Sequence, residues 1–136
     1  MKTSIHLTAM LLVILTSGCV TNEGPYVPTQ REPSTELENT AVILDREIAD
    51  RIAVDLQDAE RTSSGKLTGQ ANVRNRTNQD LRIQVQTVFR DSKGFSINDD
   101  TAWETLVLTA NETRTVSAIS TSRKAERYTI RIRMIR

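Results

Sequence analysis

The 136-residue chain predicts an all-β fold, an antiparallel β-sandwich of about seven short strands. Two observations carry the prediction. Apolar and polar residues alternate with period two over several segments, the pattern of strands with one face in a core and one in water. Turn chemistry separates these segments at spacings of about eight to twelve residues. No internal repeat and no parallel-sheet signal accompanies them, and a partly open barrel is the alternative closure.

Taken in order, Ala41-Val42-Ile43-Leu44 is a short apolar run closed by Asp45 and reads as a first strand. The piece from Asp45 to Asp50 supplies one helical turn. Ile52, Val54 and Leu56 then alternate with Arg51, Ala53, Asp55 and Gln57, which favours a strand. A helix over 45–61 competes, because Leu44, Ile48, Ile52 and Leu56 are spaced by four and Gly65 stands beyond its end. Arg61 to Lys66 is a turn. Leu67, Gly69, Ala71 and Val73 form the next alternating set, and Leu81, Ile83, Val85, Thr87 and Phe89 the one after. Between them Asn75 to Asp80 is loop chemistry, and its shortness predicts that the two strands form an antiparallel hairpin.

Asp91-Ser92-Lys93-Gly94 is a turn whose glycine takes the positive φ. Phe95 and Ile97 suggest a brief return strand, followed by the polar loop Asn98 to Thr101. Trp103 opens a strand through Thr105 to Leu108, and Ala110-Asn111-Glu112 turns the chain again. Thr113 to Ser120 reads as a strand around Val116, Ala118 and Ile119. Thr121 to Glu126 is loop or one helical turn. Tyr128, Ile130, Ile132 and Met134, alternating with Thr129, Arg131, Arg133 and Ile135, close the domain.

Two segments precede this domain, which spans 41–136. Met1-Lys2 and the apolar core Leu7 to Leu15 have the make-up of a signal peptide over 1–18. The core is about nine residues, too short for the ~20 that a membrane span needs. Thr16-Ser17-Gly18 then supplies the small residues a signal peptidase requires, with cleavage between Gly18 and Cys19. Residues 19–40 hold Pro25, Pro28 and Pro33 among polar residues, a composition that reads as a flexible tether. Pro25-Tyr26-Val27-Pro28 is read as spacer rather than as a docking peptide.

Charge and missing residues narrow the function. The chain carries 18 Lys and Arg against 17 Asp and Glu, without the basic excess of a general nucleic-acid binder. The one His is His6, in the leader, and the one Cys is Cys19. The domain therefore has no imidazole or thiol for a nucleophilic triad, a zinc site, a haem or a disulfide. What remains is chemistry by carboxylate, Lys, Tyr or Ser-Lys. Asp99-Asp100 with Asp91 nearby is the one acidic group to weigh, for calcium or for a carboxylate glycan hydrolase. A solvated turn is favoured, so no catalytic residue, metal or cofactor is assigned.

Arg82, Arg90, Arg131 and Arg133 fall on outward positions of strands and form the candidate interaction face, with Arg123, Lys124, Arg127 and Arg136 adding charge toward the C-terminus. Such a face suits an acidic partner or an anionic glycan strand; the competing reading is solvated arginine that guards a sheet edge. Trp103 is either a sugar-stacking platform or packing. Asn75-x-Thr77 and Asn111-x-Thr113 match the glycosylation pattern but act as turns.

Two resemblances sharpen these expectations. Leu15-Thr16-Ser17-Gly18-Cys19 resembles the lipobox of bacterial lipoproteins. That implies a diacylglyceryl thioether and an N-acyl group on Cys19, an anchor with enough acyl chains to hold. Val20, where an aspartate would imply inner-membrane retention, implies the outer membrane, with the domain facing the periplasm. The polar tether, the Asn75-Arg76-Thr77 turn, the Arg90-Asp91-x-x-Gly94 turn, Trp103-x-x-Leu106 and the Arg-rich last strand together resemble the YcfL-like family of small envelope lipoproteins. The family implies an immunoglobulin-like sandwich with no established activity and no catalytic residues. Its association with genes for activators of peptidoglycan synthases implies envelope work. The expectation is a non-catalytic binding or scaffold module for an envelope protein or peptidoglycan, with a small hydrolase or a lipid or ligand carrier as alternatives.

Overall fold

The computed structural model describes residues 40–136; the leader, Gly18, Cys19 and most of the tether lie outside the described residues. Seven strands and one helical turn follow one another: β1 (Ala41–Ile43), α1 (Arg46–Ala49), β2 (Ile52–Arg61), β3 (Leu67–Asn75), β4 (Leu81–Arg90), β5 (Glu104–Leu108), β6 (Thr113–Ile119) and β7 (Arg127–Met134). They form a four-stranded sheet in the order β1-β7-β4-β5 and a three-stranded sheet in the order β2-β3-β6. The fold is the expected all-β, immunoglobulin-like sandwich. The core lies between the sheets, built around Phe89, Ile83, Leu108, Ile130, Ile132 and Val73, all fully buried. Residues 45–61 divide as the favoured reading had it, a single helical turn and then a ten-residue strand.

Three expectations are corrected. β3 and β4 are not a hairpin, for β3 pairs with β2 and β6 while β4 pairs with β5 and β7. The connection 76–80 crosses from one sheet to the other, and the two inner faces meet across the core. Strand alternation is identical in a hairpin and in such a crossing, so it could not choose. Phe95 and Ile97 form no strand: one bridge joins Arg90 to Ser96, and Phe95 is exposed. The pairing is also not antiparallel throughout, since β1 runs parallel to β7. The three residues of β1 carry no directional signal of their own. Asp45 ends that pair: its Oδ2 accepts from the Met134 amide at 2.7 Å and its Oδ1 lies 3.7 Å from the Arg136 guanidinium.

The crossing is organised by Asn75, fully buried at the end of β3. Its Nδ2 donates to the carbonyls of Gln79 (2.7 Å), Thr109 (3.0 Å) and, more weakly, Leu108 (3.4 Å). Its Oδ1 accepts from the Thr77 amide and hydroxyl at 3.0 and 2.8 Å. Thr109 opens another crossing, from β5 to β6, which also bonds back through Asn111 N to Thr77 O. Asn111 adopts φ +60°, a left-handed conformation that a short polar side chain tolerates. Asn75-x-Thr77 is thus a buried clamp between two loops, and its asparagine is out of reach of any glycan.

The sheets are held at a second point by Tyr128. Its ring lies on Gly69, where an added Cβ would stand 2.4 Å from the ring carbon Cδ2, so only glycine fits. Its hydroxyl reaches the opposite sheet and donates to Asp58 O at 2.8 Å, with Gln70 O at 3.3 Å. Burial first, and then the nearby Asp58 carboxylate, hold the phenol above its ordinary value of 10.0.

Replacing Asn75 tests the clamp. Asn75→Ala leaves buried carbonyls without a donor and is expected to cost about 3 kcal/mol in urea unfolding. Asn75→Asp keeps the volume but turns a second oxygen toward carbonyl oxygens. It should cost more than the alanine at pH 7 and recover in part on acidification, when the acid regains one donor. Equal losses for the two variants would mean that volume, and not donation, is what the site requires.

Candidate functional site

The outer face of the four-stranded sheet collects the side chains that can recognise a partner. Strand alternation and register put Arg82, Gln84 and Gln86 of β4 on this face, beside Val107 and Thr105 of β5 and Arg133 and Arg131 of β7. Trp103 stands just before β5. Its approach is fixed because Thr101 is stitched to β4: Thr101 N donates to Thr87 O, Thr87 N to Thr101 Oγ1, and Gln86 Nε2 to Thr101 O, each at 2.9 Å.

The half-exposed indole is covered by arginine. The Arg133 Cζ lies 3.8 Å from the ring centroid and the Arg131 Cζ 5.7 Å from it, both within cation–π reach. The cross-strand glutamines fix the guanidinium groups. Arg133 Nε donates to Gln84 Oε1 at 3.0 Å, and Arg131 Nη1 donates to Gln86 Oε1 at 3.1 Å. Neutral acceptors orient the two guanidinium groups at these bonds. Leu44 and Val107, both partly exposed, flank the array. The result is an ordered aromatic and cationic surface with apolar margins, the composition enriched where proteins bind one another.

Of the four arginines named from the sequence, three share this face: Arg82, Arg131 and Arg133. Arg90 does not belong to it. It is 8% exposed, and its Nη1 donates to the buried Thr129 hydroxyl at 2.8 Å. Alternation gives the side to which a residue points but not whether that side stays open. Here the chain after β4 comes back alongside the strand, pairing Ser96 with Arg90, and Val88 is buried with it. Trp103 is neither core nor a bare platform, since the cation occupies a ring face that a sugar would need. Gln84 and Gln86 join the face without having been singled out from the sequence. Their signal was spacing: two glutamines two apart on one strand match two arginines two apart on another.

The acidic group has other work. Asp99 takes hydrogen bonds from the Ser120 hydroxyl (2.5 Å), the Thr121 hydroxyl (2.5 Å) and amide (2.8 Å), and the Ser122 amide (3.3 Å). Desolvation is the largest influence on it and pushes its pKa up; the four bonds together outweigh that and hold it below 3.8. Asp91 accepts from the Lys93 and Phe95 amides at 2.9 Å each, and Gly94 takes φ +91° in that turn. Both carboxylates are turn fasteners. Among the described residues no three acidic, His or Cys side chains gather to hold a metal, and no helix is long and apolar enough to cross a membrane.

With this geometry in hand, the comparisons place the chain. The family model "Protein of unknown function (DUF1425)" matches residues 39–134. The chain belongs to the DUF1425 family. This is the family to which the YcfL-like resemblance pointed. No curated protein matches the sequence. Among solved structures the chain is similar to a DUF1425 family member from Shewanella sp. pv-4, at 21% identity and TM-score 0.58, over 62% of this chain and 79% of that one. It is also similar to Campylobacter jejuni cj0090, at 16% identity and TM-score 0.52, over 71% of this chain and 99% of that one. At these identities the likeness is one of fold.

Asp99 makes a pH prediction. A carboxyl held below its ordinary value stabilises the fold above that value, and the contribution is lost as pH falls through the folded one. Thermal midpoints are therefore expected to fall as the pH drops below the ordinary carboxylate value, and Asp99→Asn should flatten that part of the profile. An unchanged acid slope in the variant would mean that the bonds to residues 120–122 add nothing to stability.

Proposed function

We propose that this DUF1425 protein is a lipid-anchored, non-catalytic binding module of the bacterial envelope. It is attached through Cys19 to the outer membrane, faces the periplasm, and engages an acidic surface of another envelope protein. The observation that carries the reading is the Trp103 array, in which Arg133 and Arg131 lie against the indole and are held by Gln84 and Gln86. A partner carboxylate can pair with the Arg133 guanidinium while its apolar side chains pack on Leu44 and Val107. Both sets of groups are ordered before contact, which lowers the entropy lost on binding.

The engagement of Asp91 and Asp99 in turns supports a module without turnover, since neither is left as a poised acid or base. A carrier needs an enclosed apolar cavity. The depression of about 420 Å³ beside Leu56 is instead open to solvent, with polar and apolar groups both in its lining. The family's association with activators of peptidoglycan synthases makes the cell-wall machinery the first place to look for the partner.

In-cell photocrosslinking tests the reading. Photoreactive residues at Arg82, Arg131 and Arg133 are expected to trap one envelope protein, and the same residue at Thr62 none. Charge reversal of Arg131 and Arg133 should reduce capture from position 82 at least tenfold, about 1.4 kcal/mol of binding. Identical adducts from Thr62 and from the array, or none from any site, would overturn it.

A further inference from the structure

The opposite sheet carries a different site. In β2 the register slips between Asp55 and Asp58, so that Leu56 and Gln57 stand opposite the single residue Ala71 of β3. Leu56 takes φ +46°, a conformation that a branched apolar residue rarely adopts, and it is 79% exposed. No core packing accounts for a leucine held in this way. Bulges of this kind re-aim side chains beside binding sites. Leu56 indeed overhangs the depression of about 420 Å³, whose lining includes Gln57, Asp58, Gln70, Asn72 and Thr115. That volume lies in the range of small-ligand sites.

The polar groups of the lining are fixed in direction. Thr115 donates to Asn72 Oδ1 at 2.8 Å, which turns the Asn72 amide nitrogen outward. Thr40 donates to Gln57 Oε1, leaving the Gln57 nitrogen to donate elsewhere. Gln70 Nε2 leans on Asp58 at 3.4 Å, which leaves Gln70 Oε1 as an acceptor. The bulge itself is held from beneath by the Tyr128 hydroxyl on Asp58 O. Among the described residues the lining thus offers two amide donors, an amide acceptor, a carboxylate and the apolar residues Leu56 and Ala71, with no Arg or Lys and no aromatic ring.

We propose that the depression under Leu56 is a binding site for a neutral sugar residue of a glycan. Sugar hydroxyls donate and accept at once, as this mixed set requires, and the apolar C–H face or an acetamido methyl would pack on Leu56. The absence of a cation in the lining disfavours phosphates and carboxylates. The absence of an aromatic ring disfavours nucleobases. An extended peptide would dock by pairing with the β2 edge, and the bulge interrupts the ladder there. The inference does not depend on the Trp103 array, which lies on the other sheet.

The test is a titration of the ¹⁵N-labelled full chain in detergent with tri-N-acetylchitotriose, with cellotriose, and with a neutral Gly-Ser-rich peptide as control. Side-chain NH₂ resonances of Gln57, Gln70 and Asn72 report on the site directly. At least one trisaccharide is expected to move them with a Kd of about millimolar order, and the peptide to leave them in place. Asn72→Ala should weaken binding at least fivefold. Leu56→Gly should do the same without lowering the thermal midpoint, because glycine accepts the positive φ. Charge reversal of Arg131 and Arg133 should leave the sugar response intact, which separates this site from the proposed protein-binding face. Amides unmoved by both sugars, moved equally by the peptide, or moved as strongly in Asn72→Ala would overturn the proposal.

Discussion

The Asn75 amide is fully buried where the chain leaves β3, and a buried amide with unmet bonds would cost more than a small domain can spare. Its two donors and one acceptor draw Gln79, Thr109 and Thr77 into one cluster. Those residues belong to two of the four connections that pass from one sheet to the other, β3 to β4 and β5 to β6. One side chain thereby sets the separation of both crossings. The remainder of the sandwich follows: inner faces meet at Phe89, Ile83 and Ile132, and Tyr128 spans the gap above Gly69 to bond the far sheet.

Because the inner faces are committed to each other, recognition falls to the outer faces, and these differ in chemistry. The four-stranded sheet presents arginine and glutamine around Trp103. The three-stranded sheet presents side-chain amides and hydroxyls beside the bulge at Leu56. Several acidic groups are tied into turns or ion pairs, as with Asp99 at residues 120–122, Glu112 with Arg114 at 2.5 Å, and Asp55 with Arg74 at 3.3 Å. A domain built in this way has two organised surfaces back to back, an arrangement suited to holding one component against another.

Much of the fold was legible in the sequence because alternation is a local signal. The inward sets Leu67-Gly69-Ala71-Val73 and Leu81-Ile83-Val85 are buried or nearly so, as their spacing required. What was not legible depends on distant partners. Nothing in Asn75–Asp80 distinguishes a hairpin from a crossing, because the deciding carbonyls belong to Leu108 and Thr109. Ala41–Ile43 gives no hint of a parallel partner near the far end of the chain. The slip at Asp55–Asp58 breaks an alternation that read cleanly through Leu56. Of the site, the outward arginines Arg82, Arg131 and Arg133 could be read, while the burial of Arg90 and the meeting of Arg133 with Trp103 depend on the registers of three strands.

The central claim is that the Trp103 array is ordered in the free protein, before any partner arrives. The most direct test is the proton spectrum of Arg133. A guanidinium lying 3.8 Å from an indole centroid sits in the ring-current field, so its Hδ and Hε resonances should be displaced upfield. They should return to ordinary positions in Trp103→Leu and move part-way back in Gln84→Ala. Ordinary Arg133 shifts in the unsubstituted chain would contradict the claim and leave the outer face a set of separately solvated side chains.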